Sequence, residues 1–310
     1  ITLEEGANVE GANIAPLQNP VGAQPLRPIP LQDLFPQGIT YAPNCQLLQQ
    51  AKKRINERPD FNHLFAIQNP TQDNQIKFTD IEVEAIQTLF NPQQVLKHDQ
   101  AEKAAIDAET LKNAHCAHFS CHGYFNFENP LKSALILAQS EFTPPPQPDD
   151  TTRYLPLKKV KFLDLQKCLT LEDILRLDLG NCRLVTLSAC ETGITDISSS
   201  SDEYIGLPSG FILAGSPNVI STLWTVDDLS TALLMIHFYQ NLQQGQTVPL
   251  ALRAAQNWLR SSTAQDLKNW SATISASLKK SVDEHLASCG PNRTPYRSPF
   301  YWAAFCAIGA

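Results

Sequence analysis

Several features that would place the chain in a common functional class are missing. The 310 residues contain no run of about 18 uncharged apolar residues, so no segment is predicted to span a membrane. No run of five Lys or Arg residues occurs and the formal net charge is −7, which disfavours nucleic acid as a partner. Residues 1–15 have neither a basic nor an apolar region, so they do not have the pattern of a signal peptide.

Signatures of familiar nucleotide and hydrolase sites are also absent. The sequence has neither a P-loop nor a G-x-S-x-G elbow, and Asp196 stands where a C-x5-R phosphatase loop would need Arg. The eight cysteines form no C-x-x-C pair. Without a secretory signal, this pattern favours reduced thiols and a cytoplasmic location over a disulfide framework.

The first 45 residues differ in composition from the rest. They hold seven of the 22 prolines and only five charged residues, so residues 1–45 are predicted to be a Pro-rich linker and residues 46–310 one domain. The chain begins with Ile1 and its single methionine is Met235, so we expect a piece of a longer chain.

Beyond the linker, apolar runs alternate with helical patterns, which predicts an α/β fold with a mainly parallel sheet. Pro-rich residues 141–152 and Ser-rich residues 197–203 are predicted loops. The predicted helices include residues 80–90, 100–113, 170–177, 206–214, 230–242, 247–259 and 266–286. The predicted strands include residues 63–67, 94–96, 114–121, 134–137, 182–189, 218–226 and 300–308.

Two predicted strands end in residues capable of acid–base and nucleophilic chemistry. Residues 114–123 end in His122-Gly123, and residues 182–193 end in Cys190-Glu191-Thr192-Gly193. Ligands of parallel sheets bind outside the carboxyl ends of the strands. A His there can take a proton from a Cys, and a neighbouring Gly lets a backbone N–H face a developing oxyanion. A Cys/His pair on neighbouring strand ends would form a cysteine hydrolase site.

Each of these segments has an alternative interpretation. Two Cys and three His within residues 115–122 suggest a metal site, but His118 and His122 would lie about 13 Å apart on an extended strand, too far for one zinc ion. We therefore expect no metal, a hydrogen-bonded core role for His118 and His115, and buried thiols at Cys116 and Cys121. The pattern alone leaves Cys190 open between a nucleophile and a buried structural cysteine.

The two strand ends together resemble the CHAT domain, a caspase-like module associated with tetratricopeptide repeats. Residues 118–123 (HFSCHG) resemble its HFxxHG signature and residues 187–193 (LSACETG) its LSACETG signature. Further similar stretches occur in the same order, and the sequence is most like cyanobacterial members. They are residues 206–211 (GLPSGF), 214–219 (AGSPNV), 221–228 (STLWTVDD) and 301–305 (YWAAF).

The resemblance implies a caspase/separase-like three-layer sandwich and a cysteine endopeptidase without a cofactor. The catalytic pair falls on His122 and Cys190, and the oxyanion hole on the N–H groups of Gly123 and Cys190. No third side chain is expected beside the imidazole, so backbone groups would orient it. By similarity to separase-like enzymes, Asp228 would bind a basic residue before the scissile bond, with Asp227 second. Both Asp residues also suit helix capping.

The implied partners are protein substrates and a tetratricopeptide repeat region of the same full-length chain, which would recruit substrate or hold the protease inactive. A catalytically silent caspase-like interaction module is the alternative function.

Overall fold

The computed structural model describes residues 30–57, 61–106, 108–142, 153–158, 161–188 and 206–310. Cys190, the predicted loop 197–203 and residues 143–152 of the other predicted loop lie outside the described residues. The chain divides into two compact units, residues 1–36 and 37–310. In the first unit the described residues are 30–36, with the one-turn helix α1 (Leu31–Leu34). All other described elements belong to the second unit.

Strands and helices alternate along most of the second unit. The described strands are β1 (Thr40–Tyr41), β2 (Leu64–Gln68), β3 (Gln93–Lys97), β4 (Cys116–Ser120), β5 (Gly123–Tyr124), β6 (Ala134–Leu135), β7 (Glu141–Phe142), β8 (Tyr154–Lys158), β9 (Lys161–Asp164), β10 (Leu169–Thr170), β11 (Leu184–Ser188), β12 (Asn218–Thr222) and β13 (Phe305–Gly309). The described α-helices of this unit are α2 (Cys45–Glu57), α3 (Phe78–Gln87), α4 (Ala108–Asn113), α5 (Leu171–Ile174), α6 (Leu207–Ala214), α7 (Asp228–Gln243), α8 (Val248–Ser261), α9 (Ala264–Ile274) and α10 (Ala276–His285).

A central sheet organises the unit. Its strand order over the described residues is β1-β13-β12-β11-β4-β2-β3. The five strands from β12 to β3 run parallel, whereas β13 is antiparallel to β12 and pairs in parallel with β1. Two small antiparallel sheets, β10-β6-β5 and β7-β9-β8, accompany it. The sheet is mainly parallel, as the sequence predicts.

Helices cover both faces of the central sheet, because its inner strands are apolar on both sides. Alternate residues of β2 separate the two cores: Leu64 and Ala66 pack with α3, α7 and α8, while Phe65 and Ile67 pack with α2 and α6. The strands β4 and β11 divide in the same way. The result is a three-layer α/β sandwich, which confirms the predicted fold class.

Several predicted elements differ from the observed ones in extent. The helix predicted over residues 100–113 is two 3-10 turns followed by α4, and the helix over 170–177 shortens to the single turn α5. The helical stretch 266–286 breaks at Ser275, whose extended backbone ends α9 and whose side chain caps α10. The last strand is confined to residues 305–309. Helical periodicity does not show where the backbone leaves the helix, so these boundaries were missed.

Two residues of the predicted linker, which covers residues 1–45, form the strand β1 of the second unit. Thr40 and Tyr41, within the Pro-rich residues 1–45, pair with Ala307 and Ile308 at the edge of the central sheet.

Among the described residues, no helix has the length and apolar character needed to cross a membrane.

Candidate active site

The ends of β4 and β11 lie side by side at the carboxyl edge of the parallel strands. Ser120 is the register partner of Ser188 in this parallel pair. His122 follows Ser120 by two residues, and Cys190, outside the described residues, follows Ser188 by two residues in the sequence. Adjacent strands lie about 4.8 Å apart. The two predicted catalytic positions therefore stand at matching offsets after paired strand residues.

Backbone and side-chain contacts hold His122. Its carbonyl oxygen accepts a hydrogen bond of 2.9 Å from the Ile136 N–H, which ties the end of β4 to β6. Its ring nitrogen Nε2 lies 3.2 Å from Oδ2 of Asp73, and the two side chains are about one-quarter exposed. Gly123, the predicted oxyanion donor, follows directly and begins β5. The expectation that backbone groups alone orient this imidazole is therefore incomplete.

An open cavity of about 310 Å³ lies beside His122. Its volume lies at the small end of the range of about 300–1,000 Å³ that ligand pockets occupy. The lining includes the end of β11 at Ser188 and two carboxylates, Glu82 and Asp228. None of the described lining residues is Lys or Arg. The full lining is Gln75, Ile76, Thr79, Glu82, Ser120, Cys121, His122, Ser188, Thr225, Val226, Asp228 and Thr231.

The two aspartates predicted for substrate binding occupy different places. Asp227 is the N-cap of α7, where its Oδ1 accepts a hydrogen bond of 2.9 Å from the Ser230 N–H. Asp228 lies in the wall of the cavity, and its Oδ2 accepts a hydrogen bond of 2.9 Å from the Phe78 N–H at the start of α3. Burial raises the pKa of Asp228 to about 7, and the nearby Glu82 and Asp227 charges act in the same direction. Only Asp228 faces the cavity.

A buried polar chain runs from the cavity into the core. Oε1 of Glu82 lies 2.9 Å from Nε2 of His118, and both side chains are buried. The other ring nitrogen of His118 is 3.2 Å from the Tyr239 hydroxyl, which donates to Thr186. The contact with Tyr239 confirms the expectation that His118 is a hydrogen-bonded core histidine. The Glu82 carboxylate, which lies beside His118, is the second carboxylate at the cavity wall.

The cysteines near the strand ends have different environments. Cys121 and Cys116 are buried, and burial raises the pKa of both thiols above the ordinary value. A thiol with a raised pKa is protonated at neutral pH and is a poor nucleophile. Their predicted role as core thiols is confirmed. Within the described ranges, no three His, Cys, Asp or Glu side chains come together in a group that would hold a metal ion.

The residue that sequence reasoning missed is Asp73. It follows β2, whose carboxyl end lies next to that of β4, and the sequence shows Asn69-Pro70 there as a strand stop. The signal that points to it is its position after a parallel strand, the same criterion that selects His122. An Asp in the loop after a strand also has the pattern of an ordinary turn residue, so the sequence alone does not mark Asp73 as part of a site.

The candidate site lies at the carboxyl ends of parallel strands in a three-layer α/β sandwich. The family model of the CHAT domain matches residues 31–310 of this chain. The chain belongs to the CHAT domain family.

The solved structures that match the chain are distant from it in sequence. A chain of the Saccharomyces cerevisiae separase–securin complex matches with 13% identity and a TM-score of 0.47, over 89% of this chain and 14% of that one. A complex of the Porphyromonas gingivalis RgpB pro- and mature domains matches with 9% identity and a TM-score of 0.46, over 84% of this chain and 51% of that one. The chain thus spans a small part of the first and about half of the second. A comparison with curated protein sequences gives no match.

Proposed function

We propose that the chain is a cysteine endopeptidase in which His122 and Cys190 form the catalytic pair. The observation that carries the proposal is the register of β4 and β11, in which Ser120 and Ser188 are partners and each catalytic position follows by two residues. Two residues of chain reach no further than about 7 Å. Ser188 and His122 line one cavity, so a substrate there would be within reach of both strand ends.

The reaction we propose begins with proton transfer from the Cys190 thiol to the His122 imidazole. The thiolate sulfur then attacks the scissile carbonyl carbon, and the carbonyl electron pair moves onto oxygen. When the tetrahedral intermediate collapses, the C–N bond breaks and the leaving amine takes the proton from the imidazolium. Water, deprotonated by the imidazole, attacks the thioester, and its C–S bond breaks. The acid product leaves and Cys190 recovers its proton.

The proposed oxyanion hole consists of the backbone N–H groups of Gly123 and Cys190. Gly123 follows the catalytic histidine directly and lies at the start of β5. An N–H at that place would face the carbonyl oxygen of a substrate bound between the strand ends. Such donors stabilise the oxyanion by about 3–4 kcal/mol each in characterised enzymes.

We propose that the enzyme cleaves after a basic residue and that Asp228 binds this residue. The support is the cavity beside His122, whose described lining carries the carboxylates of Glu82 and Asp228 and neither Lys nor Arg. Glu82 already faces His118 at 2.9 Å, which leaves Asp228 as the better partner for an arriving cation. A guanidinium can pair with a carboxylate through two hydrogen bonds. Asp227, which caps α7, is the second candidate.

The natural partners in this proposal are protein substrates and a tetratricopeptide repeat region of a longer chain. That region would recruit substrates or restrain the protease. The proposed compartment is the cytoplasm, because a thiol nucleophile needs reducing conditions and no disulfide joins the described cysteines.

The test is cleavage of a fluorogenic peptide with Arg before the scissile bond, compared with peptides that carry Gln or Asp there. Cys190→Ala and His122→Ala each abolish cleavage, while Cys121→Ala retains most of it because that thiol is buried and protonated. Equal activity of Cys190→Ala and the parent would refute the assignment. Covalent labelling by an electrophilic Arg peptide, lost in Cys190→Ala, separates an enzyme from a silent interaction module.

A further inference from the structure

The third side chain at the site is the carboxylate of Asp73. Its Oδ2 lies 3.2 Å from Nε2 of His122, and its Oδ1 accepts a hydrogen bond of 2.9 Å from the Gln75 N–H. The pKa of Asp73 is lowered, first by this backbone hydrogen bond and then by His122. The group is therefore ionised at neutral pH and acts only as an acceptor.

The loop that carries Asp73 is held in place by contacts to β4, the strand that carries His122. Asn69, which is buried and has a φ of 41°, donates its N–H to the Ser120 carbonyl at 3.0 Å. Its side-chain oxygen accepts a hydrogen bond of 3.1 Å from the Asp73 N–H. Asn accepts this left-handed conformation more readily than most residues. Through these two hydrogen bonds, Asn69 connects the residue that carries the carboxylate, Asp73, to the end of β4.

We infer that Asp73 is a positioning residue for the peptidase reaction, a role that rests on the function proposed above. Because the carboxylate accepts from Nε2, the proton of the neutral imidazole stays on Nε2. Nδ1 is then the nitrogen left to take the thiol proton. When the imidazolium forms, the charge of Asp73 stabilises it, and the proton on Nε2 remains there.

The competing explanation is purely structural, since Asp73 also caps the 3-10 turn Asn74–Ile76. Two substitutions separate the roles. Ser and Asn cap about as well as Asp, so Asp73→Ser and Asp73→Asn keep the turn. Neither supplies a charge. Ser is too short to replace the contact, and the Asn amide can donate to Nε2, which would move the imidazole proton to Nδ1.

The first measurement is the kinetics of Arg-peptide cleavage by the full chain, with thermal unfolding of each variant. A buried orienting Asp is worth about 10⁴ in kcat in serine proteases. Asp73 is partly exposed, so we expect kcat to fall by about 10- to 1,000-fold in both variants, with KM changed less than about threefold and melting temperature unchanged. Asp178→Asn is the matched control.

Asp178 suits this purpose because its Oδ1 accepts a hydrogen bond from the N–H two residues on, at Gly180, and it pairs with Lys112. It is exposed and outside the cavity lining. If both Asp73 variants retain kcat within about twofold of Asp178→Asn, the positioning role is refuted.

The second measurement needs no activity. Crystal structures of the parent and of Asp73→Ser are compared at His122. The positioning role is supported if the His122 ring has one orientation in the parent, with Nε2 facing Asp73, and is rotated or occupies two orientations in the variant. The same single orientation in both overturns it. A parent that cleaves nothing refutes the proposed function, and the ring comparison still decides what Asp73 does.

Discussion

The stability of the Asp228→Asn variant tests whether burying the ionised Asp228 carboxylate destabilises the folded protein. Burial raises the pKa of Asp228 from the ordinary 3.8 to about 7 in the folded protein. Below about pH 3 the carboxyl is protonated in both the folded and the unfolded state, so its ionisation does not affect stability there. Between pH 4 and 7 the unfolded chain loses its proton while the folded chain keeps it, so stability falls as pH rises.

The magnitude follows from the size of that shift. About three pKa units at 1.36 kcal/mol each give about 4 kcal/mol lost at pH 8 as an upper bound. The Asn oxygen can still accept from the Phe78 N–H, so the start of α3 is kept. The new amide N–H groups need partners, which costs about 1–2 kcal/mol. The net prediction is that Asp228→Asn stabilises the protein by about 2 kcal/mol at pH 8.

The assay is thermal unfolding of parent, Asp228→Asn and the exposed control Asp178→Asn between pH 4 and 8. For a domain of this size, 2 kcal/mol corresponds to about 4–8 °C in melting temperature. The gain should be absent at pH 4 and grow up to pH 7, while the control shows no such trend. A difference that is constant with pH, or a variant less stable than the parent at pH 8, refutes the reasoning. The same variant should lose its preference for Arg peptides, because the carboxylate that would pair with Arg is gone.

Three further predictions concern groups outside the proposed chemistry. Cys121 should resist iodoacetamide at pH 8 in the folded protein while exposed Cys45 reacts, as read by mass spectrometry, because burial raises the Cys121 thiol pKa; equal rates contradict this. Burial lowers the pKa of His237 to about 4, so the free energy of unfolding of the parent should fall by about 3 kcal/mol between pH 6.5 and 4. In urea unfolding, His237→Phe should remove this loss; if parent and variant lose stability equally as the pH falls, the reasoning is wrong. Gly309 has a φ of 115°, and an added Cβ would clash with the backbone oxygen of Pro217, whereas Gly245 has a φ of 86° and open space around it. Gly309→Ala should therefore lower the urea midpoint of unfolding far more than Gly245→Ala, and similar losses in the two variants would contradict the steric argument.

The strand ends show how far sequence patterns reach. His122 follows an apolar run and precedes a glycine, which predicts a position at a strand end, and it does lie just past the end of β4. The choice of Asp228 over Asp227 needed the resemblance, and the structure shows the physical difference between them. Asp227 is used by its own helix, whereas Asp228 reaches α3 and the cavity.

Contacts between distant segments were beyond prediction. Asp73 and His122 are 49 positions apart, and only the pairing of β2 with β4 brings them together. Glu82 sits in an ordinary amphipathic helix, and nothing in its spacing indicates that it meets His118 at 2.9 Å. Such contacts depend on strand order, which local periodicity does not specify.

Local features can be read from the amino-acid sequence: which segments are apolar enough to be buried strands, roughly where they end, and which reactive residues follow them. These depend on neighbours in the chain, because strand and helix periodicity is a property of a few consecutive residues. The three-dimensional packing is needed to show which strand ends are adjacent, which acids share a cavity with His122, and which carboxylate contacts its imidazole. Those relations come from packing two helical layers onto one sheet, and packing joins residues that the sequence keeps far apart.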